Sequence, residues 1–261
     1  MAAAVVHRDN TVSTRGAADR RFRLASISKI LSTWAILVAV EEGSIQLETP
    51  IGQPGCTLRH LLSHAGGYGF DGATPITKPV RNRIYSNTGI ELAADAVAQA
   101  TGLDFATYLR EAIIARLGMG NTELIGSPAH GVTSTVNDLA RFCREMLVPT
   151  LLSPATVTIA TTPQFADLGG VVPGIGSFRP CPWGLGVEIH GSKNPHWMGA
   201  TNSPKAFGHF GGAGTMMWLE PDEHVALIAL TDHRFDLWST AALRLWPDLS
   251  DSVLAQQRQN L

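Results

Sequence analysis

Strand-length apolar runs stand at both ends of this chain, and segments of helical period fill the stretch between them. That distribution admits few architectures, because strands at the two ends must find each other and form one sheet, against which the intervening helices pack. At the start, AAAVVHRDNTVSTRG (Ala2–Gly16) sets two short runs around Asp9-Asn10, residues that tolerate the left-handed backbone of a tight hairpin. Near the other end, WGLGVEIH, AGTMMWLE and EHVALIALTD are separated by turn residues such as Pro221-Asp222 and predict an antiparallel meander. One or two helices close the chain from about Phe235.

Between the ends, Ile27, Ile30, Leu31, Trp34, Leu37 and Val38 recur at helical spacing and Gly43 follows as a stop, which predicts a buried helix over Ser26–Glu42 opening on Ser26. TGIELAADAVAQATG ended by Gly102, DFATYLREAIIARLG ended by Gly118, and STVNDLARFCREML capped by Ser134 or Thr135 predict three more helices. PQFADLGGVVPGIGSFRPCP (Pro163–Pro182) is dense in glycine and proline and reads as a long surface loop. The expected fold class is α/β (α+β). A mainly antiparallel sheet from residues 1–57 and 179–261, with flanking helices, carries an inserted helical lobe over 58–178 within one continuous domain. A chain of 261 residues, 44% apolar, is long enough to bury such a core.

Charge and cysteine usage exclude several classes of function. A formal net charge of −2 provides no basic field for nucleic acid or an acidic membrane and points to a small-molecule partner. Cys56, Cys143 and Cys181 are odd in number and form no Cys-x-x-Cys pair, against both a disulfide framework and a thiolate metal site. His60 and His64 share a helix face in HLLSH, a spacing that can hold zinc, but no glutamate follows His60 and no third ligand is evident. Neither a metal nor a cofactor is expected. MAAAVVHRDN has no long apolar core, which predicts neither signal peptide nor membrane span and a cytoplasmic protein. The chain has no Gly-x-Ser-x-Gly nucleophile elbow.

The residues that could carry chemistry start with FRLASISKIL, where Ser26 and Lys29 stand three apart. A serine at a helix N-terminus meets free backbone N–H groups and the positive dipole end, both of which favour negative charge arising there. Lys29, one turn on, shares its face and, if desolvated, can accept the serine proton. The same pair also fits an ordinary capped helix start with a solvated lysine. Two further short motifs accompany it: YSN (Tyr85–Asn87) just before a helix and HFGG (His209–Gly212) just ahead of the strand AGTMMWLE.

With these motifs the chain resembles the penicillin-recognising serine hydrolases: class C β-lactamases, D-alanyl-D-alanine peptidases and β-lactamase-like carboxylesterases. FRLASISKIL, LRHLLSHAGGY, IYSNTGIELAADAVAQATG, LGMGNTEL, WGLGVEI and FGHFGGAGTMMWLEPDEHVALIALT fall in that family's order and cover most of the chain. The resemblance implies an acyl-enzyme on Ser26, with Lys29 as proton acceptor. It makes Tyr85 the shuttle that protonates the leaving group and later helps activate water, a role suited to a phenol whose anion a nearby ammonium favours. Asn87 would bind the acyl side of the substrate and orient Lys29, His209 and Gly211 would line the substrate, and the N–H groups of Ser26 and Gly212 would form an oxyanion hole.

One departure bears on substrate choice. Many β-lactamases of the family carry Lys-Thr where this chain has His209-Phe210, and use them to hold a carboxylate. A partly charged histidine and a phenylalanine without a hydroxyl favour a neutral ester or amide. The expected partner is therefore a small ester, amide or β-lactam, and the expected activity is esterase-like. The alternatives are β-lactamase or D-amino-acid peptidase and penicillin-binding activity, or ligand binding without catalysis. The chain is also short for the family and lacks the helix that usually precedes the first strand. Either another element covers that sheet face or the start codon is misplaced. The sequence leaves the oligomeric state open.

Overall fold

A computed structural model describes residues 1–9 and 11–259. Strands β1 (Ala2–His7) and β2 (Val12–Gly16) pair as the expected hairpin, the Asn10 of its turn lying outside the described residues. After β3 (Phe22–Arg23), a 3₁₀ turn over Ala25–Ile27 leads into α1 (Ser28–Glu41), which is buried from Ser28 to Ala39. A helix apolar on all sides belongs in a core, and α1 forms its axis. Then come α2 (Leu58–Leu62), α3 (Asn87–Thr101) and α4 (Phe105–Leu109), the last continuing as a π turn over Arg110–Ile114. Next are β4 (Glu123–Leu124), β5 (Val132–Ser134), α5 (Val136–Leu147) and α6 (Pro154–Thr161).

The remaining strands are β6 (Gly170–Val172), β7 (Gly176–Phe178), β8 (Glu188–Ile189), β9 (Phe207–Gly211), β10 (Thr215–Glu220) and β11 (Val225–Leu230). The closing helix, α7 (Phe235–Gln259), is interrupted at Trp238 (φ −142°, ψ 20°). The main sheet runs β2-β1-β11-β10-β9-β8 with every neighbouring pair antiparallel, and β1 pairs with β11 from Ala2 opposite Leu230 to His7 opposite Val225. The expected mainly antiparallel sheet from both chain ends is therefore present. Strands β9, β10 and β11 are buried throughout, since both sheet faces are covered there. Ala2, Ala4 and Val6 face the core around α1, α3 and α5. Ala3 and Val5 face a second cluster, in which Trp246, Val253 and Leu254 of α7 meet Trp218 and Leu227. Helix α7 thus packs on that face of the sheet.

Several expectations change at their edges. The helix does not open on Ser26, because Ala25 is left-handed (φ 48°) and the chain makes a 3₁₀ turn before α1 begins at Ser28. Thr135, not Ser134, caps α5 by accepting from the Asp138 N–H, and Ser134 belongs to β5. WGLGVEIH forms a ladder only over Glu188–Ile189: Gly184 and Gly186 press against the Ala160 carbonyl and Thr33, where any Cβ would collide. The region Pro163–Pro182 is not structureless. Pro173-Gly174 makes a tight turn with Gly174 at φ 76° and an Ile175 N–H to Val172 carbonyl bond of 3.0 Å, joining β6 to β7. His209 lies in a strand of its own, β9, directly ahead of β10, the strand of AGTMMWLE. Helix α6, started by the Ser153 cap and Pro154, had no counterpart in the expectation. Among the described residues no helix is long and apolar enough to cross a membrane.

Candidate active site

Ser26 sits at intermediate burial in the 3₁₀ turn, and neither this turn nor α1 takes a side-chain cap, so helix capping does not account for the serine. It opens on a cavity of about 220 Å³ shared with Phe70, Tyr85, Val172, Pro173, Gly174, Trp183, Glu188, His209, Phe210, Gly212 and Phe235. Separate parts of the chain thus meet at Ser26, among them the segment just before α3, the β6–β7 hairpin, the end of β9 and the start of α7.

Lys29 is fully buried, and its Nζ donates to Asn87 Oδ1 at 2.7 Å and to the Ala129 carbonyl at 3.0 Å. The nitrogen also lies 4.7 Å from the centre of the Tyr85 ring. Burial pulls the ammonium down to about 7, while Glu91 and Asp71 oppose the shift without cancelling it. Two acceptors match the two N–H groups of a neutral amine, which leaves one tetrahedral position free to take a proton. Asn87 is fixed from both sides: Ser86 caps α3 through the Gly89 N–H, and Asn87 Nδ2 donates to Asp71 Oδ1 at 3.0 Å. Its amide oxygen is thereby held towards Lys29.

Tyr85 differs from the expectation. Burial pushes its phenol up, and the neighbouring Ser26 hydroxyl offsets this only in part, so the side chain is a neutral phenol rather than a favoured anion. Its buried hydroxyl has no hydrogen-bond partner within bonding geometry among the described residues. His209 is neutral as well: burial, assisted by Lys29, lowers it to about 3. Its Nδ1 is 2.6 Å from the Phe210 carbonyl, which assigns the proton to that nitrogen, and Nε2 is left without a partner. The expected partial charge at this position is absent near neutrality.

The two glycines after Phe210 play different parts. A Cβ on Gly211 would collide with the Leu24 carbonyl and Thr215 Oγ1, so this glycine lets β9 close on the turn that carries Ser26. Gly211 is not among the residues lining the cavity, whereas Gly212 is, with open space on its Cα. This close packing by itself requires a glycine at position 211.

Other parts of the site carried little or no signal in the sequence. Arg83, 2% exposed, donates to the carbonyls of Ser63, Gln164, Phe165 and Cys181, tying the segment around β6 and β7 to the loop before α3. Glu188 lines the cavity, yet its carboxylate is turned to Lys193 (3.2 Å), His196 (3.0 Å) and Trp197 Nε1 (2.7 Å). Burial raises this acid, but the two basic partners outweigh it and hold it well below the usual carboxylate range. An acid inside the apolar run GVEIH was the one available signal for that cluster. The Ala129 carbonyl left none, since a backbone acceptor is independent of its side chain.

His60 and His64 are engaged elsewhere. His60 Nδ1 accepts from the Thr57 N–H at 2.9 Å in a capping box for α2. His64 is buried, accepts from the Ser86 N–H at 3.2 Å, and packs its ring tilted against Tyr85 (4.7 Å between centroids) and edge-on to Trp183 (4.6 Å). Among the described residues no group of three or more histidines, cysteines or acids gathers as a metal site would require.

The chain matches the model of the family described as Beta-lactamase over residues 1–244. Its fold is similar to that of a beta-lactamase from Mycobacterium bovis, with a TM-score of 0.95 and 45% identity, covering 98% of this chain and 94% of that one. Unliganded simvastatin synthase from Aspergillus terreus shares the fold at 18% identity and a TM-score of 0.81, covering 98% of this chain and 94% of that one. In sequence, the chain is 27% identical over 136 residues to penicillin-binding protein 4* of Bacillus subtilis; the match takes in 40% of this chain and only 30% of that protein's length.

Proposed function

As this chain belongs to the Beta-lactamase family, we propose that it is a serine hydrolase that forms an acyl-enzyme on Ser26 and acts by preference on small uncharged esters or amides. The observation that carries the reading is the state of Lys29: a buried amine lowered to about 7, held by Asn87 and Ala129 one helical turn from a serine that caps nothing. At neutral pH a large fraction is free base, the form that can take the Ser26 proton as the hydroxyl oxygen attacks the carbonyl carbon.

The oxyanion then faces the N–H groups of Ser26 and Gly212. Tyr85, a neutral phenol, donates its proton to the departing alkoxide or amine and recovers one from the Lys29 ammonium, whose charge its ring face stabilises. Water enters, gives a proton back along the same path, and releases the acid with Ser26 restored. The preference for uncharged substrates rests on His209 and Phe210. A histidine lowered to about 3 cannot pair with a carboxylate at neutral pH, and Phe210 has no hydroxyl to assist it.

A second reading, β-lactam hydrolysis or binding, has one observation in its favour: the solved Mycobacterium bovis relative at 45% identity is described as a beta-lactamase. Incubation with a fluorophosphonate and with a panel of p-nitrophenyl esters, penicillins and D-alanyl peptides, followed by intact-protein mass spectrometry, separates the two. The expected result is a covalent adduct and burst hydrolysis with short esters, lost in Ser26→Ala. Rapid penicillin turnover would overturn the ester preference, and an adduct that persists in Ser26→Ala would overturn the nucleophile.

A further inference from the structure

A proton donor works only when it is aimed, yet the Tyr85 hydroxyl is buried and makes no bond among the described residues that would fix its direction. Its aim therefore depends on the backbone that carries the ring and on the rings packed around it. Those rings belong to His64 (4.7 Å between centroids), His209 (5.5 Å), Trp183 (5.7 Å) and Phe70 (5.8 Å). His64 is the nearest of the four, and it also bonds the backbone on either side of Tyr85. Its carbonyl accepts from the Ile84 N–H at 2.9 Å, and its Nδ1 accepts from the Ser86 N–H at 3.2 Å.

His64 does this from a strained backbone. Its φ is 57°, in the left-handed region that a glycine adopts freely and most other residues avoid. Such residues persist where their surroundings over-determine them. Here the Ser63 carbonyl accepts from Arg83 Nη1 at 2.5 Å, and the Ala65 carbonyl accepts from the Val80 N–H at 2.8 Å. A glycine would suit this backbone better; what it would lack is the imidazole. That ring is buried, and burial, with Lys29, His209 and Arg83 adding to it, holds it well below the ordinary histidine value. It is therefore neutral. With Nδ1 engaged as an acceptor the ring proton sits on Nε2, which has no partner among the described residues. The imidazole thus bears on the site through Nδ1 and its packed face, and not as an acid or base.

Resting on the role proposed above for Tyr85 as proton donor, we propose that His64 is the positioning residue that aims Tyr85, fixing the backbone on both sides of it so that the hydroxyl meets the leaving-group oxygen as that oxygen parts from the acyl carbon. The side chain supplies the Ser86 half of this grip, and that half is open to substitution.

The leaving group reads the aim. p-Nitrophenolate departs without a proton, whereas ethoxide needs one, so a misaimed Tyr85 slows the ethyl ester of a short carboxylic acid and spares the p-nitrophenyl ester of the same acid. The quantity to measure is the ratio of kcat/KM for the ethyl ester to that for the p-nitrophenyl ester. It is taken in wild type, Tyr85→Phe, His64→Leu, His64→Ala and His64→Asn. As a quotient within one protein it is unmoved by a loss of folded enzyme, which is all that a merely structural histidine would cause; either acceptor-free variant suffices if the other does not fold. Tyr85→Phe is expected to lower the ratio by about a hundredfold or more, the scale of general acid catalysis. His64→Leu and His64→Ala are expected to lower it by about tenfold or more, because a misplacement of about 1 Å in a reacting group can cost about a hundredfold. Asparagine puts Oδ1 where Nδ1 stands and tolerates left-handed backbone, so His64→Asn is expected to lie closer to wild type than to His64→Leu.

A ratio that keeps its wild-type value in the acceptor-free variants while falling in Tyr85→Phe would overturn the inference and leave the hydrolase reading intact. An equal fall in His64→Asn would overturn it as well, since the acceptor would then not be what holds Tyr85. A ratio unmoved by Tyr85→Phe, or a wild type inert towards the ethyl ester, would remove Tyr85 as the donor and the inference with it. Absence of any fluorophosphonate adduct on Ser26 would overturn the hydrolase reading itself.

Discussion

Lys29 combines two properties that rarely coexist, complete burial and three polar or aromatic neighbours arranged around one nitrogen. In the proposed mechanism the free base is the working form, so kcat/KM should rise with pH through an inflection near 7, with no second limb from His209, which is neutral across that range. Asp71 opposes the lowering of Lys29 and orients Asn87, so Asp71→Asn should move that inflection to lower pH and reduce the plateau rate. An inflection that stays in place in this variant, in a pH–rate profile with a short ester, would mean that Lys29 is not the group being titrated. The same shift has a cost in stability, and its sign is fixed. Lys29 falls from the ordinary 10.5 to about 7 in the fold, so the unfolded chain holds the extra proton between those values and the lysine's contribution to stability improves as pH rises across that window.

At the scale of elements, the site depends on how closely β9 approaches the turn before α1. Gly211 and Gly212 are adjacent, yet only the first is crowded by backbone and Thr215. Gly211→Ala should therefore destabilise the protein by about 1–3 kcal/mol, as overpacking does, and depress acylation by prising β9 from Ser26. Gly212→Ala should change stability by less than about 1 kcal/mol. Urea denaturation of the two variants checks the contrast, and equal losses would refute it. This pair also marks where the sequence was legible. Strand alternation, helical period and glycine stops are local, and they located β1, α1, α3, α5, β10 and β11 within a residue or two. The Pro-Gly at 173–174 was ambiguous because the same dipeptide serves a loop and a hairpin turn. Ser26, Lys29, Tyr85 and Asn87 could be picked out through the family resemblance and do converge in space. Arg83 and Asp71 could not, since their partners lie 16 to 98 residues away in the chain or are carbonyls with no side-chain signature; Glu188 has its partners Lys193, His196 and Trp197 close in sequence, but the acid in GVEIH hinted only that something had to neutralise it.

For the molecule as a whole, the sheet is shared property. Alternate residues of β1 enter different clusters, Ala2, Ala4 and Val6 on one side and Ala3 and Val5 on the other, so neither core can dissolve without stripping a face from the strand that supports the other. Trp34 reports on the first cluster and Trp183, Trp197, Trp218 and Trp246 on the second. Tryptophan fluorescence and the capacity of Ser26 to take a fluorophosphonate should then be lost together in urea, with one midpoint. Two separated midpoints would show that the cores melt independently.

The pairing of β1 with β11 also sets a timetable for biosynthesis. The strand from Ala2 to His7 is made roughly 220 residues ahead of its partner from Val225 to Leu230, an interval of about 10–45 s at ordinary translation speeds. Through that interval the hairpin of β1 and β2 presents an open edge, and His209 and Gly212 have yet to reach Ser26. On the proposed mechanism, Ser26 stays inert on a ribosome carrying the unfinished chain, and its chemistry begins only when β9 to β11 slide in beside β1.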